Sequence, residues 1–150
     1  IGDCAFSGCQ RLASITLPEQ LTKIDYAAFA HCYSLTTVTI GNNVTTIGDY
    51  AFYDCTSLTE VTILGKETEI GDTALGYYYI SRREDGVVEG FTIYGYTNST
   101  AETYAATDDE ITFVALKEDS FILESGPDRS KQRIARWAIQ QNLTVHDEEK

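Results

Sequence analysis

The chain has 150 residues, of which 43% are apolar, and this is enough for one domain with a sizeable core. Its apolar stretches are a few residues long, well short of the roughly 20 that cross a bilayer, so we predict no membrane span. With 23 acidic and 11 basic residues, the net charge of −12 argues against nucleic acid as a partner, because phosphate binding needs a basic face.

A unit of 23 residues recurs along the first half of the chain. The copies span residues 1–23, 24–46 and 47–69, and a partial fourth covers 70–75. In the third copy the repeated positions are Ile47, Gly48, Asp49, Ala51, Phe52, Cys55, Leu58, Val61 and Ile63. A fixed period of this length is typical of a stacked repeat array, in which each unit buries its apolar face against its neighbours.

Each copy is predicted to contain one short strand and one return limb. The predicted strands end at residues 15–17, 38–40 and 61–63. Apolar and polar residues alternate there, so Val38 and Ile40 are expected to point inward and Thr37 and Thr39 outward. The spacing of apolar residues in the return limb favours a helical or 3₁₀ turn. One phenylalanine of each limb is expected to fill the interior, namely Phe6, Phe29 and Phe52.

Three of the four cysteines, Cys9, Cys32 and Cys55, occupy the same position of the repeat. An identical small residue in every repeat favours an identical buried slot, so we predict a column of free, buried thiols. Zinc is the alternative, because Cys4 lies close to the column. The chain lacks the paired C-x-x-C spacing of a zinc site, however, and we predict no metal and no cofactor.

These residues resemble the BspA-like leucine-rich repeats, whose unit reads I-G-x-x-A-F-x-x-C-x-S-L-x-x-V/I-x-I/L-P. The match covers residues 1 to about 76. The resemblance implies an α/β solenoid, a leucine-rich repeat array of 23-residue units with short parallel strands. At the end of the third copy Glu67 replaces the apolar Leu21 and Val44, so the pattern does not predict regular stacking after residue 64.

Residues 76–116 resemble the C-terminal closing segment of such arrays, and we predict a strand, a turn, a short helix and a strand. The polar stretch 81–86 is expected to form a surface hairpin loop. Thr100 is the predicted N-cap of a helix over residues 101–106. Residues 117–150 repeat the order strand, helix, strand and are predicted to form a second cap-like unit with an acidic tail.

No catalytic set emerges from the titratable residues. A cysteine nucleophile needs a histidine within hydrogen-bond reach, and His31 points elsewhere if its neighbour Cys32 is buried. His146 lies in an unrelated part of the chain. The carboxylates of residues 108–110 are interpreted as solvated loop acids or as a helix-terminating cluster, because no apolar cleft is implied around them. We therefore expect the chain not to be an enzyme.

Outward strand positions form two rows that we take as a candidate partner-binding face. Ser14, Thr37 and Glu60 make one row, and Thr16, Thr39 and Thr62 make the other. Extended repeat surfaces often bind partners, but threonine also suits an exposed strand through its β-branched shape, so both interpretations stay open. Tyr50 and Tyr53, on the return limb, are better candidates for binding anchors.

The resemblance implies a bacterial protein that is exported or lies at the cell surface. We therefore expect a non-enzymatic protein-interaction or adhesion module whose partner is a protein or a glycan. The alternative is a structural spacer or accessory domain that positions another domain outside this segment. Ile1 stands at the first position of a repeat and no signal peptide pattern is present, so we expect the segment to come from a longer array.

Overall fold

Successive repeats lie side by side in the computed structural model, which describes residues 1–118. The strands are β1 (Lys23–Ile24), β2 (Thr37–Ile40), β3 (Thr46–Ile47), β4 (Glu60–Ile63), β5 (Glu69–Ile70), β6 (Tyr77–Ser81), β7 (Glu84–Val87), β8 (Thr92–Gly95) and β9 (Thr112–Ala115), and the helix is α1 (Thr100–Ala105). The expected solenoid of stacked parallel strands about 23 residues apart is confirmed.

The main sheet is parallel and has the strand order β2-β4-β8-β9. Val38 lies opposite Val61 and Ile40 opposite Ile63, and all four side chains are buried, as the alternation predicted. The prediction of a strand at residues 15–17, in the first repeat, is wrong, because no strand forms there. Residues 14–17 and 37–39 line a groove of about 160 Å³.

The return limbs differ from the predicted helical turn. The limbs of the second, third and fourth repeats each begin with a two-residue strand, and these strands, β1, β3 and β5, form a second parallel sheet. β5 keeps the register although Glu67 replaces an apolar residue. Glu67 is exposed, and the adjacent Thr68 is buried with its hydroxyl donating to the carbonyl oxygen of Val44 at 2.7 Å. Regular stacking therefore continues past residue 64.

After these strands the limbs run through turns whose amide groups bond alternately within and between repeats. In the second repeat Ala28 and Ala30 donate to carbonyls of their own limb. Ala27, Phe29 and His31 donate to the carbonyls of Asp49, Ala51 and Tyr53 in the next repeat, at 3.0, 2.7 and 2.8 Å. Each limb is therefore held to its neighbour like a strand, although its backbone is a series of turns.

This arrangement places two left-handed residues in each limb. In the first three limbs the first falls at Cys4, Ala27 and Tyr50, with φ of 50–58°, and the second at Gly8, His31 and Asp54, with φ of 60–79°. In the fourth limb they are Thr73 and Gly76, with φ of 45° and 86°. Such angles cost a residue with a Cβ roughly 1–2 kcal/mol, and only the glycines avoid this cost. Hydrogen bonds between neighbouring limbs and the packing beneath them must offset this cost in free energy.

The phenylalanines form a continuous stack through the interior. The rings of Phe6 and Phe29 lie 5.1 Å apart at an interplanar angle of 4°, and those of Phe29 and Phe52 lie 5.0 Å apart at 7°. Leu75 holds the corresponding place in the fourth repeat. Phe29 and Phe52 are buried, whereas Phe6 is 37% exposed because it has a neighbour on one side only.

The cysteine column is partly as predicted. Cys32 and Cys55 are buried, and their thiols donate to the carbonyl oxygens of Phe6 and Phe29, 3.3 and 3.1 Å away. Cys9 is exposed, so the prediction of a buried thiol is wrong at this position, where a repeat packs on one side only. The four cysteines are free. Burial raises the pKa of the Cys55 thiol to about 12 from its ordinary value of 9.0.

The folded state should therefore lose stability in alkali partly through Cys55. Between pH 9 and about 12 the folded chain holds the thiol proton while the unfolded chain releases it, so this contribution is complete below pH 9 and falls as the pH rises. At pH 10.5 the thiol would account for a loss of about 1–2 kcal/mol relative to pH 7.5. Urea unfolding at both pH values should show a smaller loss in Cys55→Ala, whereas Cys9→Ala should match the parent chain. Equal losses in all three would contradict this.

Beyond the repeats the chain forms the hairpin β6–β7 and then adds β8, α1 and β9. The helix begins one residue earlier than predicted, because its N-cap is Ser99, whose hydroxyl accepts from the amide of Glu102. Thr100 donates instead to the carbonyl oxygen of Thr68 at 2.5 Å and so ties the helix to the last repeat. The predicted second cap-like unit over residues 117–150 lies almost entirely outside the described residues.

Tyr104 on α1 bonds to the main chain of the fourth repeat. Its hydroxyl accepts from the amide of Leu75 at 3.0 Å and donates to the carbonyl oxygen of the same residue at 3.1 Å. At the equivalent position Phe52 donates its amide to Ala74 in the following repeat. The tyrosine hydroxyl thus takes the place of a carbonyl from a further repeat.

Candidate interaction surfaces

The first candidate surface, the threonine face, consists of the two predicted rows on the main sheet. Register places Thr37 beside Glu60 and Thr39 beside Thr62. β8 and β9 lengthen the first row with Thr92 and Thr112. Exposed members of the predicted rows are Ser14, Thr16, Thr37 and Glu60, with Thr39 half-buried. The predicted residues therefore do share one face.

Thr62 does not belong to the open part of this face, because it is only 5% exposed. Its neighbour on the outer side is Tyr94 of β8, which is itself buried. The open part of the face is thus its first half, where the groove is lined by threonine and serine side chains and by the apolar Ile15, Leu17 and Val38. Such a groove offers hydroxyl groups but no aromatic side chain.

The second candidate surface, the tyrosine patch, consists of Tyr26, Tyr33, Tyr50, Tyr53 and His31 on the return limbs. The ring centroids of Tyr26 and Tyr50 are 5.9 Å apart, and those of Tyr50 and Tyr53 are 5.3 Å apart. Both pairs meet edge to face, at 70° and 82°. His31 makes similar contacts with Tyr33 and Tyr53, at 6.2 and 6.3 Å. The five rings form one continuous chain of contacts over the second and third repeats.

Asp54 holds the centre of the patch together. Its Oδ2 accepts from His31 Nδ1 at 3.0 Å, and its Oδ1 accepts from the amide of Tyr79 on β6 at 3.3 Å. Only 15% of the Asp54 side chain is exposed, against 45% for His31. The carboxylate therefore fixes the histidine ring from below and docks the hairpin beside the patch.

Asp85 on β7 is the second carboxylate at the patch. Its Oδ1 accepts a hydrogen bond of 2.6 Å from the hydroxyl of Tyr53. Burial, this hydrogen bond and the charges of Asp85 and Asp54 raise the pKa of Tyr53, so the phenol keeps its proton. Asp54 likewise contributes to raising the pKa of Tyr33, after burial. Tyr33 and Tyr53 thus lie close to negative charge.

The other chemical candidates have structural roles. Asp108 accepts from the hydroxyl of Tyr77 at 3.3 Å and from the amide of Glu110 at 3.0 Å, which closes the turn after α1. Lys66 pairs with Glu118 and lies over the ring of Tyr96. Residues 1–118 contain no cluster of three metal-ligating side chains. No helix in this part of the chain has the length and apolarity of a membrane span, and His146 lies outside it.

Tyr50 and Tyr53, the predicted binding anchors, both lie in the patch, whereas His31 was predicted only to point away from Cys32. The signal for its partner was present, since His31 and Asp54 are 23 residues apart and equivalent positions of neighbouring repeats lie side by side. Asp85 carried no such signal, because it enters from the hairpin, outside the repeat period. Tyr33 was also missed, because the positions 23 residues before and after it hold no aromatic residue.

Comparison with known families agrees with this structure. The family described as "BspA type Leucine rich repeat region (6 copies)" matches residues 1–83, more than half of the chain. Its match extends past the partial fourth copy into the hairpin β6–β7. Neither the curated proteins nor the solved structures gave a match. The chain therefore belongs to the family of BspA type leucine-rich repeats.

Proposed function

We propose that the chain is a non-enzymatic protein-interaction or adhesion module of an exported or cell-surface bacterial protein, and that the tyrosine patch is its main contact surface. Membership of the BspA type family supports a protein-binding repeat module. The resemblance to BspA-like repeats, which implies an exported or cell-surface protein, supports the proposed location. Arrays of this kind typically serve as binding scaffolds, since their side chains are presented on a regular extended surface.

The tyrosine patch is the observation that carries the proposal. Tyrosine is enriched in protein interfaces because it gives a large contact area at a small cost in side-chain entropy. In the patch the rings are already ordered by edge-to-face contacts and by Asp54 and Asp85. Tyr26 nevertheless remains 52% exposed and Tyr33 37% exposed. An ordered but accessible aromatic surface loses little freedom on binding, which favours affinity.

The threonine face is the weaker contact surface. Its open half lacks the aromatic or arginine side chains that usually dominate binding energy, and its groove of about 160 Å³ is small for a ligand site. Its hydroxyl groups could supply hydrogen bonds at the margin of a larger interface. The proposal therefore assigns to Ser14, Thr16, Thr37, Thr39 and Glu60 a secondary role.

Binding of the immobilised 150-residue chain to a panel of purified extracellular proteins and to a glycan array tests the function. A double variant, Tyr26→Ala with Tyr33→Ala, should abolish the binding of any protein that the parent chain retains. The matched double variant Thr37→Ala with Thr39→Ala should weaken it only slightly. The reverse order of losses would move the contact to the threonine face. A panel without any binding would favour a structural spacer instead.

A further inference from the structure

The chemistry around the tyrosine patch is that of a site for positive charge. Two carboxylates, Asp54 and Asp85, are hydrogen-bonded to its side chains. The ion pairs among residues 1–118 join Lys23 to Asp25, His31 to Asp54, and Lys66 to Glu118. Asp85 is exposed and has no ion-pair partner among the described residues, so its charge is available to a partner.

We propose that the tyrosine patch binds a lysine- or arginine-bearing segment of a partner protein, with its cations held by the tyrosine rings and by Asp85. This inference rests on the proposed function, because it names the class of partner for the same surface. The two parts of the site are the accessible rings, led by Tyr26, and the carboxylate at the margin next to Tyr53.

The ring geometry suits a cation. A cation within about 6 Å of an aromatic centroid is attracted by the negative potential of the ring face. Tyr26, Tyr50 and Tyr53 follow one another at steep angles of 70° and 82°, so their faces point in different directions around the same small area. The long aliphatic stem of one lysine or arginine could lie against Tyr26, which is half exposed, and a second cation of the same segment would meet Asp85 next to Tyr53.

The hydrogen-bonding groups beside the rings are acceptors. The hydroxyl of Tyr53 already donates to Asp85, and Nδ1 of His31 already donates to Asp54. What the carboxylates still offer is acceptor capacity only, because an ionised carboxylate has no proton to give. A lysine or arginine side chain supplies donors together with a positive charge, and a neutral sugar supplies donors without the charge.

The charge of the whole chain acts in the same direction. A net charge of −12 attracts a basic partner and accelerates its association. The basic side chains nearest to Asp85 in sequence are Arg82 and Arg83, in the hairpin turn. Both are exposed, and neither forms an ion pair with another described residue. Neither arginine therefore occupies the carboxylate of Asp85.

Fluorescence anisotropy with the full chain tests the inference. The probes are two labelled peptides of about twelve residues, one alternating lysine with glycine and the other alternating glutamate with glycine. We expect the lysine peptide to bind and the glutamate peptide not to bind. Tyr26→Ala should lower the affinity for the lysine peptide about fivefold or more. Tyr26→Phe, which keeps the ring, should have an affinity within about twofold of that of the parent chain.

Removing one charge at a time separates binding at the patch from attraction by the net charge of the chain. Asp85→Asn keeps an acceptor for Tyr53 but removes the charge, and it should lower the affinity for the lysine peptide about threefold or more. Asp109→Asn removes an equally exposed charge at a turn far along the chain and should change affinity by less than about 1.5-fold. Equal effects of the two substitutions, or no effect of Tyr26→Ala, would overturn the site.

A neutral glycan whose binding is lost in Tyr26→Ala would also overturn the inference. If a protein from the panel binds through the patch but the lysine peptide does not, the inference fails while the proposed function stands. If neither the panel proteins nor the lysine peptide bind, both fail together. Circular dichroism melting of each variant ensures that losses of affinity are compared between folded chains.

Discussion

Replacing Phe29 by alanine is expected to lower the free energy of unfolding by about 3–5 kcal/mol. Phe29 is fully buried and stacks on a phenylalanine on each side, with centroids 5.1 and 5.0 Å away. Its removal leaves a cavity between two repeats whose limbs are also joined by its amide. Urea denaturation monitored by far-ultraviolet circular dichroism measures the loss.

Phe6→Ala is the matched control, because Phe6 holds the same repeat position but is 37% exposed and has one stacking neighbour. Its substitution should cost about 1–2 kcal/mol, in proportion to the smaller buried area. Should Phe29→Ala not fold, Phe29→Leu keeps most of the volume and is expected to lose about 1–2 kcal/mol. Equal losses for Phe29→Ala and Phe6→Ala would show that the stack does not carry the stability of the array.

Replacing Tyr104 by phenylalanine is expected to cost about 2–4 kcal/mol. The substitution keeps the ring but leaves both the amide and the carbonyl of Leu75 without their partner, in a position where Leu75 is fully buried. Burial, the leading cause, raises the pKa of Tyr104, so the hydroxyl retains its proton and can donate at neutral pH.

Tyr78→Phe is the control for Tyr104→Phe, since Tyr78 is half-buried and its hydroxyl makes no hydrogen bond with the described residues. Thermal and urea unfolding should place this variant within about 0.5 kcal/mol of the parent chain. Identical stabilities for the two phenylalanine variants would mean that Leu75 does not depend on the tyrosine hydroxyl.

The repeat fold could be predicted because its information is local and repeated. Each copy shows the same apolar positions, so the buried stack of Phe29 and Phe52 and the pairing of β2 with β4 follow from the period alone. The left-handed residues could not be predicted in the same way. Ala27, Tyr50 and Thr73 share a position but no side-chain type that favours positive φ, and among the first three limbs glycine marks the second position only at Gly8.

The candidate surfaces could be predicted only where they lie within the period. Equivalent positions placed Thr37 beside Glu60, and the same rule would have paired His31 with Asp54. Contacts made by residues after the repeats could not be predicted from the 23-residue period. The burial of Thr62 depends on β8, which lies some thirty residues further along the chain, and the second carboxylate of the tyrosine patch comes from β7.

Because Tyr104 bonds to the backbone of Leu75, the way in which the last repeat is closed does not depend on the number of repeats before it. The backbone groups that Tyr104 engages recur in every copy, at Phe29 and Phe52 as well as at Leu75. A gene that lost or duplicated a block of 23 codons would present the same groups to the same hydroxyl. Evolution could thus shorten or lengthen such a molecule by whole blocks while its last folded part stays unaltered.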